Sequence, residues 1–220
     1  AGPVSKAEIC RVTEGKTLDD ALSEAKSAAF AAVSWDPGFD RLALFPGGAK
    51  VYLLSKADTP GYEEALREVF GEKVPKTGHE IKDTQRRLLE RGIASAGWRF
   101  DTAIAAYLLS PTDSSFTLER LDERYGSGRL KSEEAGGQQM NLFDDGADTR
   151  LCAEAEAVYD LTTRLSKAID EAGMRPLFEE IELPLCEVLA HMEYEGFLVD
   201  KKALEDFGAM LSEKIAQVER

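Results

Sequence analysis

Apolar and polar positions alternate over residues 7–12 (AEICRV), which predicts a strand. From residue 17 the apolar spacing changes to three and four. Leu18, Ala21, Leu22 and Ala25 then share one face of a helix over 17–28, with Thr17 placed to cap it. Three apolar runs follow at 29–34, 41–45 and 50–54, and Pro46-Gly47-Gly48 marks a hairpin between the last two. A helix is expected over 61–70, and Val74 opens a short extended piece. In 78–111 a helix with Ile81, Leu88 and Leu89 on one stripe stops at Gly92, a segment over 93–100 crosses back, and Asp101-Thr102 caps a second helix that ends before Pro111.

Beyond this point helix dominates. Residues 117–125 form a helix with Leu118 and Leu121 inward, and 126–148 is rich in Gly, Ser, Gln and acids and reads as an exposed loop. A long amphipathic helix is expected over 149–172, ending at Gly173. A second follows over 175–194, with a kink or break near Leu183 because Pro184 removes a backbone donor. Gly196 interrupts, Phe197-Leu198-Val199 is extended, and Asp200 caps a last helix over 201–220. Strands in antiparallel succession, then strands alternating with helices, predict an α/β domain with a mixed sheet and flanking helices. No internal repeat is visible.

Composition narrows the function classes. The chain has 220 residues, 43% of them hydrophobic, enough for one large domain or one domain and part of another. No apolar run reaches the roughly 18 residues of a membrane span, and the start has no signal-peptide core. An Ala-Gly-Pro start without methionine reads as processed or excised. Three widely spaced cysteines, Cys10, Cys152 and Cys186, point to a reducing compartment and inert thiols. With 41 acidic against 27 basic residues the net charge is −14, so the bulk field repels a phosphate backbone. Any nucleic-acid contact must come from a local basic patch.

Within 78–111, Gly78, Ile81, Lys82, Leu88, Gly92-Ile93, Phe100-Asp101-Thr102 and Tyr107 fall in register with the second exonuclease motif of the bacterial family A DNA polymerases, the DNA polymerase I family, which this stretch resembles. Glu182-Leu183-Pro184-Leu185, Val188-Leu189, Met192-Glu193, Gly196 and Val199-Asp200 resemble the junction between that family's exonuclease domain and its polymerase thumb. The resemblance implies a ribonuclease-H-like exonuclease domain over 1–173, with its loop at 126–148, and a connecting helix with the start of the thumb over 174–220. It also implies that Arg220 falls short of the palm and fingers of a longer, cytoplasmic, nucleoid-associated bacterial enzyme. That parent would perform template-directed DNA synthesis in replication and repair, gripping DNA through its other domains and using Mg²⁺ in a palm absent here. No cofactor is expected in this chain.

The resemblance also locates a loss. Two-metal nucleases need about four carboxylates around cations roughly 4 Å apart, since hard divalent ions favour oxygen ligands. The family's carboxylate positions fall on Val33 and Trp35 in the first core strand, Thr84 in the second motif and Ala155 in the third. None of these can bind a cation. Asp36, Asp83, Glu154 and Glu156 stand beside them, as acids must in so acidic a chain. His79 and His191 have no ligand spacing between them. The expectation is a catalytically silent 3′–5′ exonuclease-like domain that supports the polymerase body. The competing classes are an active exonuclease with rearranged ligands and a stand-alone interaction module. In the loop, Gln139-Met140-Asn141-Leu142-Phe143 resembles the bacterial sliding-clamp-binding pentapeptide, with Gln139 for a pocket rim and Met140, Leu142 and Phe143 as apolar anchors.

Overall fold

A computed structural model of the chain describes residues 7–130 and 145–218. The clamp-like segment Gln139, Met140, Leu142 and Phe143 lies outside them. Six strands form one sheet in the order β1-β4-β3-β2-β5-β6: β1 Glu8–Arg11, β2 Ala31–Trp35, β3 Arg41–Phe45, β4 Lys50–Ser55, β5 Lys76–Gly78 and β6 Trp98–Asp101. The β2/β3 and β3/β4 pairs are antiparallel, while β1/β4, β2/β5 and β5/β6 are parallel. This is the mixed sheet the strand and helix order predicts. At the β3–β4 hairpin Gly47 has φ +90°, and a Cβ there would meet the Tyr159 hydroxyl at 2.5 Å. Glycine is required at that position by both conformation and space.

The central strands are buried on both faces, and period-2 alternation sorts their side chains. Val33, Leu42, Leu44, Tyr52 and Leu54 join one core with α1 (Gly15–Ser27) and α2 (Tyr62–Phe70). Ala32, Ala43, Phe45, Val51 and Leu53 meet Leu151, Cys152, Ala155 and Val158 on the opposite face. Those four belong to α6 (Asp145–Glu171), which packs across β2, β3, β4 and β5. That helix begins within the stretch 126–148 expected to be loop. The reason is Asp148, which is buried and paired with both Arg11 on β1 and Arg41 on β3, so its charge is drawn inward rather than solvated.

The strongest sequence motif folds as its residues dictate. α3 (Ile81–Glu90) ends in a Schellman turn: Ile93 N–H donates to Leu88 O and Gly92 N–H to Leu89 O, with Gly92 at φ +68°. Leu88 and Ile93 close the motif in the same core. α4 (Thr102–Leu109) starts from Asp101, and α5 (Leu118–Arg124) follows. The first helix begins at Gly15 rather than Thr17, and Thr17 caps nothing.

The α-helical hydrogen-bond ladder is interrupted just before Leu183, where Pro184 predicts a break, by a π-helical turn rather than a loop. α7 (Arg175–Leu177), a π-helical turn (Phe178–Glu182) and α8 (Leu183–Glu195) run on in succession. The wider turn, closed by Leu183 N–H to Phe178 O, precedes the proline and accommodates its missing donor. α8 packs along α3, where Glu193 pairs with Lys82 (2.6 Å) and lies 3.7 Å from Arg86. After Gly196, Phe197 and Leu198 are exposed. Asp200 caps α9 (Lys201–Val218) by accepting from Ala203 N–H at 3.0 Å, and no described residue of α9 is buried.

Candidate functional site

The C-terminal end of β2, the start of α3 and the middle of α6 enclose a cleft of about 360 Å³. One-residue alternation decides which β2 side chains face α6 there. Val33 and Trp35 point to the other face: Val33 is in the α1/α2 core, and Trp35 stacks on Phe39 at 5.7 Å and 4° and edges onto Phe70. Ala155 lies on the α6 side against Ala32 and Ala43. Thr84 is buried in the cleft wall, its hydroxyl turned toward Glu80 O. Val33, Trp35 and Thr84 border the cleft and Ala155 does not, and the bulk of Val33 and Trp35 packs into the α1/α2 core rather than toward Ala155.

What converges instead is Ser34 with Glu154. Ser34 Oγ donates to Glu154 Oε2 at 2.9 Å, and Arg150 Nε donates to the other carboxylate oxygen at 2.9 Å. The pair is absent from the motif reading because a run of small, doubly buried residues (Ala31, Ala32, Val33) shows no alternation from which to fix the register. Several other acids near the cleft have partners of their own. Asp36 Oδ1 accepts from the backbone N–H groups of Asp40 (2.8 Å) and Arg41 (3.0 Å), with Arg41 Nε 3.6 Å from its other oxygen. Asp83 is exposed and lies 3.8 Å from Lys82. Glu156 is turned away from the cleft, buried against Arg129 and Ala7 N–H. Among the described residues no group of three His, Cys, Asp or Glu side chains is placed to hold a metal ion. Val33, Trp35 and Ala155 bring no oxygen ligand in their side chains, and Thr84 brings only a hydroxyl, so these four residues do not fit a divalent cation.

Two polar groups anchor the walls. Asp101 is fully buried, and its carboxylate accepts from four backbone N–H groups: Ala103 (2.7 Å) and Ile104 (3.3 Å) of α4, and Ile81 (2.7 Å) and Glu80 (3.3 Å) at the start of α3. One side chain thus caps two helices, and α3 needs it because its own N-cap, Glu80 at φ +53°, supplies no side-chain bond. Burial raises the Asp101 carboxyl pKa, while these donors pull it down. His79 Nδ1 and Thr102 Oγ1 are 2.8 Å apart, and burial lowers the imidazole pKa. His191 is exposed on α8, apart from this cleft.

Comparison with known proteins agrees with this geometry. The family model described as "DNA polymerase I, ribonuclease H-like domain" matches residues 48–171. DNA polymerase I of Mycobacterium tuberculosis is 35% identical over 174 residues, covering 76% of this chain and 19% of that protein. DNA polymerase I of Geobacillus stearothermophilus is 31% identical over 66% of this chain and 17% of its own length. The chain thus spans about a fifth of the length of these relatives. Among solved structures, the polymerase domain of Pol1 from M. smegmatis, in complex with DNA primer-template and dNTP, superposes with TM-score 0.77 at 26% identity. That match covers 96% of this chain and 36% of the other. Escherichia coli RNase D, an exoribonuclease, shares the fold with TM-score 0.63 at 16% identity over 83% of this chain and 50% of its own. The mixed sheet, the helix laid across it and the motif register all lead to one assignment: the chain belongs to the DNA polymerase I family and carries its ribonuclease H-like, exonuclease-like domain.

Proposed function

We propose that this domain is silent as a nuclease and serves as a structural support within a longer enzyme that carries out template-directed DNA synthesis. The observation that carries the first half is the occupation of the cleft's polar groups. Glu154 is held by Ser34 and Arg150, Asp36 by a turn and Arg41, and the expected carboxylate positions are Val33, Trp35, Thr84 and Ala155. Gathering two divalent cations would require breaking these bonds and turning side chains through the sheet. The second half is supported by the family relationship and by the extent of the relatives beyond this chain. Residues 1–173 are then the support domain and 174–220 the link to the thumb. DNA and the sliding clamp are partners of the whole protein, and Mg²⁺ acts in its palm rather than here.

A Mn²⁺ titration of isotope-labelled protein tests the silent cleft. Paramagnetic broadening should be diffuse over the acidic surface. Broadening centred on Ser34, Thr84 and Glu154 at low micromolar Mn²⁺, and relieved by Glu154→Gln, would identify a working cation site.

A further inference from the structure

Away from the cleft, the side chain of Lys76 ties two loops together from inside. It is wholly buried, and its Nζ donates to Gly71 O (2.9 Å), just past α2, and to Ala96 O, in the segment that leads into β6. The Trp98 ring lies 5.5 Å away. Residues 71–75 and 93–97, which the amine joins, belong to no helix or strand. They are held to each other by few bonds: Ala96 N–H donates to Phe70 O at 2.9 Å, and Lys76 N–H to Gly97 O at 3.0 Å. Gly97, at φ +74°, sits so close to the turn that a Cβ would meet Val74 O at 2.9 Å and Glu72 O at 3.0 Å. β6 is the last strand of the sheet, and its pairing with β5 shifts register between Lys76 and Thr77. An edge strand with an interrupted ladder, covered by irregular backbone, is where local opening is easiest.

The charge that acts on this amine is the like charge of Arg99 on β6. Glu72 and Lys73 in the turn are exposed, and residues 93–97 carry no charge. In the last turns of α2, Arg67 faces Glu64 and Glu68 pairs with Lys26. We propose that Lys76 is a proton-operated latch: segment 94–97 lifts from the turn 71–73 together with the uptake of a proton by the Lys76 amine, uncovering Trp98 at the sheet edge. With the cover closed, burial and Arg99 hold the amine at about 7, and with it lifted, water restores the ordinary 10.5. The open form therefore binds more protons between these two values. Within that window each unit of falling pH makes opening up to about tenfold easier. Below about 7 both forms are protonated and the effect levels off.

The test is hydrogen exchange of the whole chain, read as protection factors at the amides of Ala96 and Lys76 from about pH 7 to about pH 9, with and without low urea. Both amides should be less protected than those of β3 and nearly insensitive to urea, because a local opening exposes little surface. Their protection should rise by up to about tenfold per pH unit. Lys76→Met fills similar space without a titrating group and should leave the protection flat with pH. Gly97→Ala, which crowds Val74 O, should lower the protection and keep the slope. The proposal is overturned if wild-type protection at these amides is flat with pH, or if Lys76→Met keeps the slope. It is equally overturned if both amides match β3 in protection and urea dependence, since they then open only with the whole fold.

Discussion

Lys76 is the residue with the least expected environment. It is wholly inside, its ammonium donates to Gly71 O at 2.9 Å and to Ala96 O, and it lies 5.5 Å from the Trp98 ring centre. No acid among the described residues pairs with it. Burial, aided by the charge of Arg99, brings its pKa down from 10.5 to about 7. The folded chain therefore releases this proton before the unfolded chain does. Between about pH 7 and 10.5 the unfolded state binds more protons, so this group makes stability rise with pH, by at most about 1.4 kcal/mol per unit. Denaturant titrations of wild type and Lys76→Met should show the wild type gaining on the variant across that window. A constant difference would mean that Lys76 titrates alike in both states. Asp101 gives a second prediction: Asp101→Ala removes the caps of α3 and α4 together and should cost about 2–4 kcal/mol, twice an ordinary cap. A loss below about 1 kcal/mol, the size of a single cap, would show that one of the two helices does not depend on it. The sequence announced Asp101 as the cap of α4, because Asp-Thr before an apolar helix is a local signal. Its hold on α3, twenty residues away, depends on the β5–β6 pairing and is invisible locally.

Helices and strands were mostly legible because the 3.6 and 2.0 periods leave direct traces. The β3 bounds, the Schellman stop at Gly92 and the Asp200 cap follow from residues within one turn. What local pattern could not give was the register of β2, since both of its faces are apolar. It also could not give the start of α6, where buried pairing of Asp148 overrides an acidic, loop-like composition. α9 shows the converse, a correct element without a home. Leu204, Phe207, Leu211 and Ile215 form an apolar stripe, yet each is roughly half exposed. Such a stripe needs a partner helix. Amide exchange should be fast across 201–218 and slow across 81–109, since protection follows burial and packing. Equal protection in monomeric protein would contradict the link to a thumb.

At the scale of the whole molecule, a net charge of −14 makes this domain a poor grip for DNA. Its own association would run through short apolar anchors. Leu142 and Phe143, which precede α6 in the sequence, should bind a bacterial sliding clamp with micromolar affinity, on the order of −7 to −8 kcal/mol. Leu142→Ala with Phe143→Ala should abolish that binding, while changes at Asp144 or Asp145 should matter little. Equal binding by the doubly substituted chain would remove the clamp from the account. The central claim is a nuclease fold whose chemistry is gone, with Glu154 and Asp36 retained in structural bonds. Its most direct test is digestion of a 3′-ended single-stranded oligonucleotide by the purified chain, with Mg²⁺ or Mn²⁺ present. The account predicts no shortened products above a chelated control. Metal-stimulated shortening from the 3′ end, abolished by Asp83→Ala, would contradict it.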